Sequence, residues 1–210
     1  MARLEGGWRT TTPKQAGRAE GLRSVGAALD LLECFATEEQ LGVTDISRRL
    51  GVAKSTAHRL LTTLRSRGFI EQDPETGLYR LGLHLFELGH LAQIRYPLRK
   101  VARPICSDLS RRAGLTVNLS LMDGADVVFI ERVEAAESGL GLAESGLRLP
   151  AHVASSGKAI AAWNPEFARA RGAAGFPPQA RGTIRTLADW EAAVRLVRVR
   201  GYATSEDESF

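Results

Sequence analysis

Apolar residues in the first third of the chain recur at helical spacing and predict three consecutive helices. The apolar faces are Val25, Leu29, Leu32 and Phe35; then Val43, Ile46 and Leu50; then Ala57, Leu60, Leu61 and Leu64. Each set repeats at i, i+3 or i+4, which places its members on one side of a helix. Ser24 can cap the first helix and Thr44 or Asp45 the second, because a short oxygen side chain accepts from free amides. Gly51 follows the second helix where a left-handed C-cap is expected.

A short hairpin is predicted directly after these helices. Residues 69–71 (FIE) and 78–81 (LYRL) favour strands, and the intervening Asp73-Pro74-Glu75-Thr76-Gly77 is typical of a turn. A hairpin beside a helix pair is typical of a DNA-binding wing, in which Tyr79 and Arg80 would reach phosphate or sugar. The alternative is that Tyr79 packs on the helices and Arg80 is solvated.

Positive charge is concentrated on the second and third helices. Between Leu41 and Gly68 there are six Lys or Arg residues and one acid, whereas the whole chain carries a net charge of only +4. A tight glycine turn, a basic second helix and an adjoining wing together predict a helix-turn-helix that reads double-stranded DNA. The predicted DNA-binding residues are Lys54, Ser55, Thr56, His58, Arg59, Arg65 and Arg80. An ordinary helical hairpin with a solvated basic face is the alternative.

Residues 83–94 (LHLFELGHLAQI) are apolar on nearly all sides of a predicted helix. A solvated connector would not have this composition, so burial against a second copy of the chain is the better explanation. His84 and His90 within it are interpreted as packing or polar-edge residues and not as metal ligands.

The remainder predicts a mixed second domain. Pro97 ends the preceding helix, and Pro104 is expected near the start of the next one, which Gly114 ends. The other predicted elements are strands over 116–122 and 125–133, a weak strand within 139–149, helices over 155–163 and 187–200, a helix opened by Asn164-Pro165, and a strand beginning at Tyr202.

The segment Ser155-Ser156-Gly157-Lys158 superficially resembles a phosphate-binding loop but lacks its pattern. His152 occupies the first required glycine position, and Ala159 follows Lys158 where Ser or Thr is required. What remains is a helix N-terminus with two hydroxyl groups, which can receive a carboxylate. Simple helix capping by the same hydroxyls is the alternative.

Composition indicates a soluble globular chain, with 44% hydrophobic and 25% charged residues and no long apolar run. Residues 1–21 predict a flexible arm without the apolar core of a secretory signal, so a cytoplasmic protein with no membrane segment is expected.

Cys34 and Cys106 lack partners at metal-ligand spacing, and no metal or cofactor is expected. His152, Ser155, Ser156 and Asp123 form no recognisable nucleophile motif, so we expect no enzyme.

Two stretches, SVGAALDLLECFA and VTDISRRLGVAKSTAHRLLTTLRSRGFIEQDPETGLYRLG, resemble the isocitrate lyase regulator (IclR) family of bacterial regulators, as do the later LPAHVASSGKAIAAW and RVRGYATSEDES. The resemblance implies an α+β protein with a winged helix-turn-helix over 22–82, a linker and dimerisation helix over 83–96, and a GAF-like effector-binding domain over 97–210. It further implies a homodimer or homotetramer on a pseudo-palindromic operator.

The resemblance also implies that a small organic acid is sensed. Carried over residue by residue, it assigns effector contacts to Leu149, Ser155, Ser156 and Ser205, although some relatives carry an acid at the position of Ser205. Because the family pattern continues with further strands, we expect a chain truncated at its C-terminus. The other functions considered are an effector-insensitive DNA-binding fragment, a dimerising scaffold and a small-molecule hydrolase.

Overall fold

The chain folds into two units that are joined between Arg95 and Tyr96. The computed structural model describes residues 22–135 and 146–209. We refer to 22–95 as the N-terminal unit and to 96–209 as the C-terminal unit. The predicted arm over 1–21 lies outside the described residues.

Three helices and a hairpin make up most of the N-terminal unit, as the apolar spacing predicts. Its elements are α1 (Arg23–Glu33), a 3-10 turn (Cys34–Ala36), α2 (Val43–Leu50), α3 (Lys54–Ser66), β1 (Ile70–Gln72), β2 (Tyr79–Leu81) and α4 (Leu83–Arg95). Strands β1 and β2 are antiparallel, with Glu71 opposite Arg80. Gly51 ends α2 at φ 64°, the left-handed conformation expected of it.

One apolar core holds these elements together. Its buried members are Leu31, Phe35, Leu41, Ile46, Ala57, Leu61, Ile70 and Tyr79. Tyr79 is only 4% exposed, and its backbone pairs with that of Leu41. Tyr79 therefore packs on the helices, and its proposed contact with DNA is wrong.

The predicted N-caps of the first two helices are also wrong. The N-cap positions are Leu22 and Gly42, and neither makes a side-chain capping bond. Ser24 and Asp45 lie inside the first turns, so their side chains are not placed to accept from the amides ahead of them. Asp45 pairs with Arg48 instead, at 2.5 Å.

Helix α4 has no residue buried within the N-terminal unit. Its large apolar side chains are exposed: Leu83, Phe86, Leu88, Leu91 and Ile94. The prediction that this segment is helical is confirmed, and its apolar surface is left uncovered by the described residues.

The C-terminal unit packs helices against an antiparallel sheet of order β3-β4-β5. Its elements are α5 (Pro97–Ala113), β3 (Val117–Asp123), β4 (Asp126–Val133), β5 (Arg148–Pro150), a 3-10 turn (Ala151–Val153), α6 (Ser155–Trp163), α7 (Pro165–Ala174) and α8 (Leu187–Arg200). Strand β5 falls in the weak strand region predicted over 139–149, of which residues 139–145 lie outside the described residues. Trp190, Val194 and Val197 on α8 complete a core with Val127 of β4 and Phe167 of α7.

Pro104 lies inside α5 and does not start it, contrary to expectation. Pro97 occupies the start of the helix, where a missing N–H is of no consequence. The helix then continues through Pro104, at the loss of one backbone hydrogen bond.

The strand predicted from Tyr202 is also wrong, because 201–209 contains no strand. This tail is instead tied to the unit by side-chain and backbone hydrogen bonds. Ser205 Oγ donates to the carbonyl oxygen of Val153 at 2.7 Å, Thr183 Oγ1 to that of Glu208 at 2.8 Å, and the Gly182 amide to Asp207 at 2.7 Å. No helix among the described residues has the length and apolarity needed to cross a membrane.

Candidate nucleic-acid interface and effector region

Helix α3 presents a polar face opposite the side that enters the core. Ala57 and Leu61 are fully buried, whereas Ser55, Arg59 and Thr62 are exposed. These three residues follow one another at i, i+4 and i+7, so they form one stripe that points away from the core. Lys54, Thr56, His58 and Arg65 are exposed on the flanks of that stripe. The structure thus brings the predicted DNA-binding residues of α3 onto one accessible surface.

Folding neutralises part of the charge that the sequence concentrates here. Arg48 pairs with Asp45. Arg49 pairs with Glu38 at 2.9 Å and donates to Thr37 Oγ1 at 3.2 Å. Both partners of Arg49 precede the basic segment in the sequence, so counting charge within that segment overestimates its excess.

Three cations of this region have neither an ion pair nor a side-chain hydrogen bond within the part of the chain that is described: Lys54, Arg59 and Arg67. Lys54 lies at the first position of α3. A cation there opposes the helix dipole, which favours anions at the N-terminus by about 0.3–1 kcal/mol. Helix stability therefore does not explain Lys54, and these three cations remain available to phosphate groups.

The wing is internally braced. Arg80 pairs with Glu71 across the hairpin at 3.1 Å, and about half of its side chain stays exposed, so a phosphate group would have to compete with Glu71 for it. In the turn, Asp73 accepts from the amides of Glu75 at 2.8 Å and Thr76 at 3.0 Å. These backbone hydrogen bonds lower the pKa of the Asp73 carboxyl.

Arg65 reaches from α3 to the wing. Its Nη1 donates to Gln72 Oε1 at 2.6 Å, and Gln72 Nε2 donates to the carbonyl oxygen of Gly77 at 3.1 Å. Arg65 and Arg80, both predicted to bind DNA, are therefore engaged by groups of the protein. Sequence reasoning missed these contacts because Glu71 meets Arg80 only when β1 and β2 pair, and Gln72 meets Arg65 only when the hairpin lies against α3.

The N-terminus of α6 is not capped by a side chain. Its N-cap residue is Ala154, so the alternative in which Ser155 or Ser156 caps the helix is wrong. Ser155 is exposed. Ser156 Oγ is buried and has no hydrogen-bond partner among the described residues. This hydroxyl group is therefore available to a ligand at the start of the helix.

The other two predicted effector contacts are occupied by the fold. Leu149 is 8% exposed and belongs to the apolar core. Ser205 Oγ bonds to Val153 and lies 3.0 Å from Glu208 Oε2. Neither Leu149 nor Ser205 therefore presents an unpaired polar group to a ligand.

A cleft of about 240 Å³ lies among α6, α8 and the tail. Lys158, Asp189, Arg200 and Glu208 are part of its lining, whereas none of the four predicted effector residues is. At its edge Lys158 Nζ lies 2.5 Å from Glu208 Oε2, and the Lys158 side chain is almost fully buried. Sequence reasoning did not identify Lys158 as a buried structural residue. Two features of the sequence could have indicated it: Lys158 is a cation within an otherwise apolar helix, and the tail near residue 208 is acidic.

His152 is fully buried next to this region. Burial lowers the pKa of His152 to about 4, and its Nε2 lies 3.1 Å from the carbonyl oxygen of Pro177. In the described part of the chain, no hydrogen bond joins His152 to Ser155, Ser156 or Asp123. The described residues, 22–135 and 146–209, contain no cluster of three or more His, Cys, Asp or Glu side chains that could hold a metal ion.

A second buried pair lies at the start of β4. Arg171 Nη1 and Asp126 Oδ1 are 3.2 Å apart, and both side chains are almost fully buried. Burial raises the pKa of Asp126 and lowers that of Arg171. Arg171 also donates to the carbonyl oxygens of Ala125 and Gly175, so the pair fastens α7 to the sheet.

Comparison with known proteins matches both units. Residues 24–74 match the IclR helix-turn-helix domain, and residues 90–210 match the C-terminal domain of the bacterial transcriptional regulator IclR. The chain is 38% identical over 192 residues to the HTH-type transcriptional regulator XynR of Escherichia coli (strain K12). That match covers 90% of this chain and 76% of XynR.

Two solved structures extend the similarity to the fold. One is a regulator from Silicibacter sp. TM1040, with a TM-score of 0.71 and 30% identity, covering 87% of this chain and 73% of that one. The other is a homologue from Microbacterium hydrocarbonoxydans in complex with 4-hydroxybenzoate. Its TM-score is 0.68 at 28% identity, and the match covers 86% of this chain and 75% of that chain.

Proposed function

Because the chain belongs to the IclR family of bacterial transcriptional regulators, we propose that it binds a pseudo-palindromic operator as a dimer or tetramer and responds to a small organic acid. The relatives are named as regulators, and this family is not one of enzymes. The observation that carries the proposal is the exposed polar stripe of α3, which contains Arg59, together with Lys54 and Arg67 at the helix ends; these three cations have no partner among the described residues.

In this proposal α3 enters the major groove. Arg59 lies in the middle of the outward stripe, where its guanidinium group can bond to the edge of a guanine, and Ser55 lies one turn earlier. Lys54 and Arg67 lie at the two ends of the helix, where they can contact phosphates on either side of the groove. Base contacts would select the sequence, and phosphate contacts would fix the orientation of the helix.

Dimerisation through α4 would supply two such helices. The exposed apolar side chains of α4 are a surface that a second copy can cover. Two recognition helices related by a two-fold axis read half-sites about one helical turn, or a multiple of it, apart. A symmetric operator follows from a symmetric protein.

The effector region is proposed at the N-terminus of α6. The amides of a helix N-terminus favour a carboxylate, and Ser156 Oγ adds a buried donor without a partner among the described residues. An aromatic acid of the size of 4-hydroxybenzoate, the ligand of the Microbacterium homologue, is the class we propose. Ser155 would contact it from the exposed side, and Leu149 and Ser205 would support the region from the core and the tail.

DNA binding measured against salt concentration tests the first part. The probe is a duplex that the intact protein selects from a random-sequence pool. We expect the logarithm of the binding constant to fall linearly with the logarithm of salt concentration, with a slope of about −0.9 per phosphate contact. A dimerising scaffold would show no selection and no such slope, and that result would overturn the proposal.

Arg59→Ala is the matching variant. We expect it to weaken operator binding by about 5- to 150-fold, because a bidentate contact to a base contributes about 1–3 kcal/mol. Arg195→Ala removes an arginine that is also exposed, on α8 in the C-terminal unit, and should leave affinity unchanged. Equal effects of the two variants would show that total charge, not the α3 face, determines binding.

A further inference from the structure

The contact between Arg65 and Gln72 joins the recognition helix to the wing. Arg65 lies in the last turn of α3, and Gln72 is the last residue of β1. Both residues carry polar groups at an accessible surface, and the distance from Arg65 Nη1 to Gln72 Oε1 is 2.6 Å. A guanidinium group that donates to the protein in this way has a direction fixed by its partner.

The arginine also determines the orientation of the glutamine amide. Arg65 carries donors and no acceptor, so Gln72 must turn its oxygen toward it. The amide nitrogen then faces the turn, where it donates to the carbonyl oxygen of Gly77 at 3.1 Å. Two hydrogen bonds in series therefore run from α3 to the tip of the wing.

The tip itself is a closed turn. Asp73 accepts from two amides of the turn, the Gly77 amide donates to the Asp73 carbonyl oxygen at 2.9 Å, and the Asp73 amide donates to that of Leu78 at 2.8 Å. Gly77 adopts φ 71°, which suits glycine. Because these hydrogen bonds close the turn, a contact at Gly77 constrains the position of the whole turn.

We propose that Arg65 is a positioning residue, which aims the wing at the DNA backbone through Gln72 and does not itself bind phosphate. This inference rests on the proposed function, in which α3 and the wing bind one DNA duplex together. Without the Arg65 side chain the hairpin would keep its strands, since the ion pair of Glu71 with Arg80 and the β1–β2 ladder remain. Its tip would lose the link to α3.

Four proteins test the proposal: the wild type, Arg65→Met, Gln72→Met and the double variant. Methionine keeps much of the side-chain length and removes the hydrogen bond. We expect each single variant to bind the selected operator about two- to tenfold more weakly, and the double variant to be no weaker than either single one. Because the arginine of the wing, Arg80, is paired with Glu71, the wing would contact the backbone through uncharged groups and the salt slope should stay that of the wild type. Loss of a phosphate contact by Arg65 itself would reduce the slope by about 0.9.

Hydrogen exchange of the DNA-free protein gives a readout that does not depend on DNA binding. Arg65→Met and Gln72→Met should both speed the exchange of the Gly77 and Leu78 amides. Arg67→Met, two residues further along and without a partner among the described residues, should leave that exchange unchanged. This comparison separates the bracing of the wing from a general loss of charge near α3.

The outcomes distinguish the two proposals. A reduced slope for Arg65→Met together with unchanged affinity for Gln72→Met would make Arg65 a phosphate contact and overturn the inference. Unchanged exchange in both single variants would overturn it as well. Faster exchange in the variants, without any salt-dependent DNA binding by the wild type, would support the hydrogen-bonded link from Arg65 through Gln72 to Gly77 and would reject the proposed function.

Discussion

For some residues of the proposed DNA-binding surface the sequence predicts the position on the helix, whereas for others it does not predict the ion-pair partner. Arg59 follows from spacing alone, because it lies opposite Ala57 and Leu61 on a helix whose apolar face is evident. Arg49 and Arg80 do not, since Glu38 and Glu71 approach them only after the chain has folded. The pattern of the sequence therefore places side chains on a face but does not state which charges remain unpaired.

Ser156 allows a test at the level of one oxygen atom. Because its Oγ has no partner among the described residues, Ser156→Ala should leave the thermal unfolding temperature nearly unchanged. If a carboxylate binds there, the variant should bind 4-hydroxybenzoate about tenfold or more weakly, since a hydrogen bond to a charged group contributes about 1.5–3 kcal/mol. Isothermal titration calorimetry measures the affinity.

Ser155→Ala and operator binding are the controls for that experiment. Ser155 is exposed at the same helix N-terminus, so its removal should have a smaller effect on ligand affinity. DNA binding without ligand should be the same in all three proteins. Unchanged affinity in Ser156→Ala, with measurable binding by the wild type, would place the ligand elsewhere.

His152 predicts a pH dependence of stability. Its pKa is lowered from 6.5 to about 4 by burial, so the folded protein holds this group neutral while the unfolded chain takes up a proton. The stability of the folded state that depends on a neutral His152 is therefore fully present above pH 6.5 and is lost as the pH falls toward 4. At pH 4 the loss in the free energy of unfolding reaches about 3 kcal/mol. Urea unfolding of the C-terminal unit at pH 7 and pH 4.5 measures it.

The difference between wild type and His152→Gln isolates the histidine from carboxylates that titrate in the same range. The variant should lose less stability between the two pH values, because glutamine can donate to Pro177 without titrating. His58→Gln, which changes an exposed histidine, should behave as the wild type. The same pH dependence in His152→Gln and the wild type would contradict the assignment.

At the level of elements, the spacing of apolar residues predicted each helix of the N-terminal unit and the two long strands of the C-terminal unit. Helix ends and irregular segments were predicted less well, because they depend on which amides and carbonyls find partners in space. The tail after Tyr202 is the clearest example. Its polar side chains bond to Val153 and Lys158, so a segment with strand-like composition at its start becomes a fixed loop.

Gly157 supports a prediction about how α6 meets the turn before it. A Cβ atom at this position would lie 2.2 Å from the carbonyl oxygen of Ala151, and backbone on both sides prevents an easy shift. Gly157→Ala should therefore destabilise the C-terminal unit by about 1–3 kcal/mol, although alanine favours helices in general. Urea unfolding followed by tryptophan fluorescence, to which the buried Trp190 contributes, measures the change.

Ser155→Ala serves as the control in the same helix. It adds no atom and changes an exposed position, so its effect should stay within about 0.5 kcal/mol. If Gly157→Ala were as stable as this control, the close approach of α6 to Ala151 would not constrain the fold.

For the whole molecule, the sequence predicted the α+β class and the family, because the motifs of both units occur in order along one chain. It did not predict which surfaces of the C-terminal unit form its cleft. That cleft depends on Glu208 meeting Lys158 across 50 positions of sequence, a contact with no local signal. Function at this scale rests on the two units together, since one carries the DNA-binding helix and the other the proposed effector region.

Association of two chains is the property of the whole molecule that α4 makes testable. Phe86 is 71% exposed in the single chain, so Phe86→Glu should not disturb the fold of the monomer. In a two-fold dimer the change occurs twice at one interface. Loss of about 1.5–3 kcal/mol of apolar burial per side chain should weaken dimerisation by at least about a hundredfold.

Sedimentation velocity over a range of concentrations measures this equilibrium, and circular dichroism confirms that the helices are retained. Gln93→Glu introduces the same charge on the same helix at a position that is already polar, and it should change dimerisation far less. Operator binding provides the functional counterpart, because a monomer engages one half-site and forfeits the second. A dimer that survives Phe86→Glu with unchanged affinity would remove α4 from the interface and, with it, the explanation of why its apolar surface is exposed.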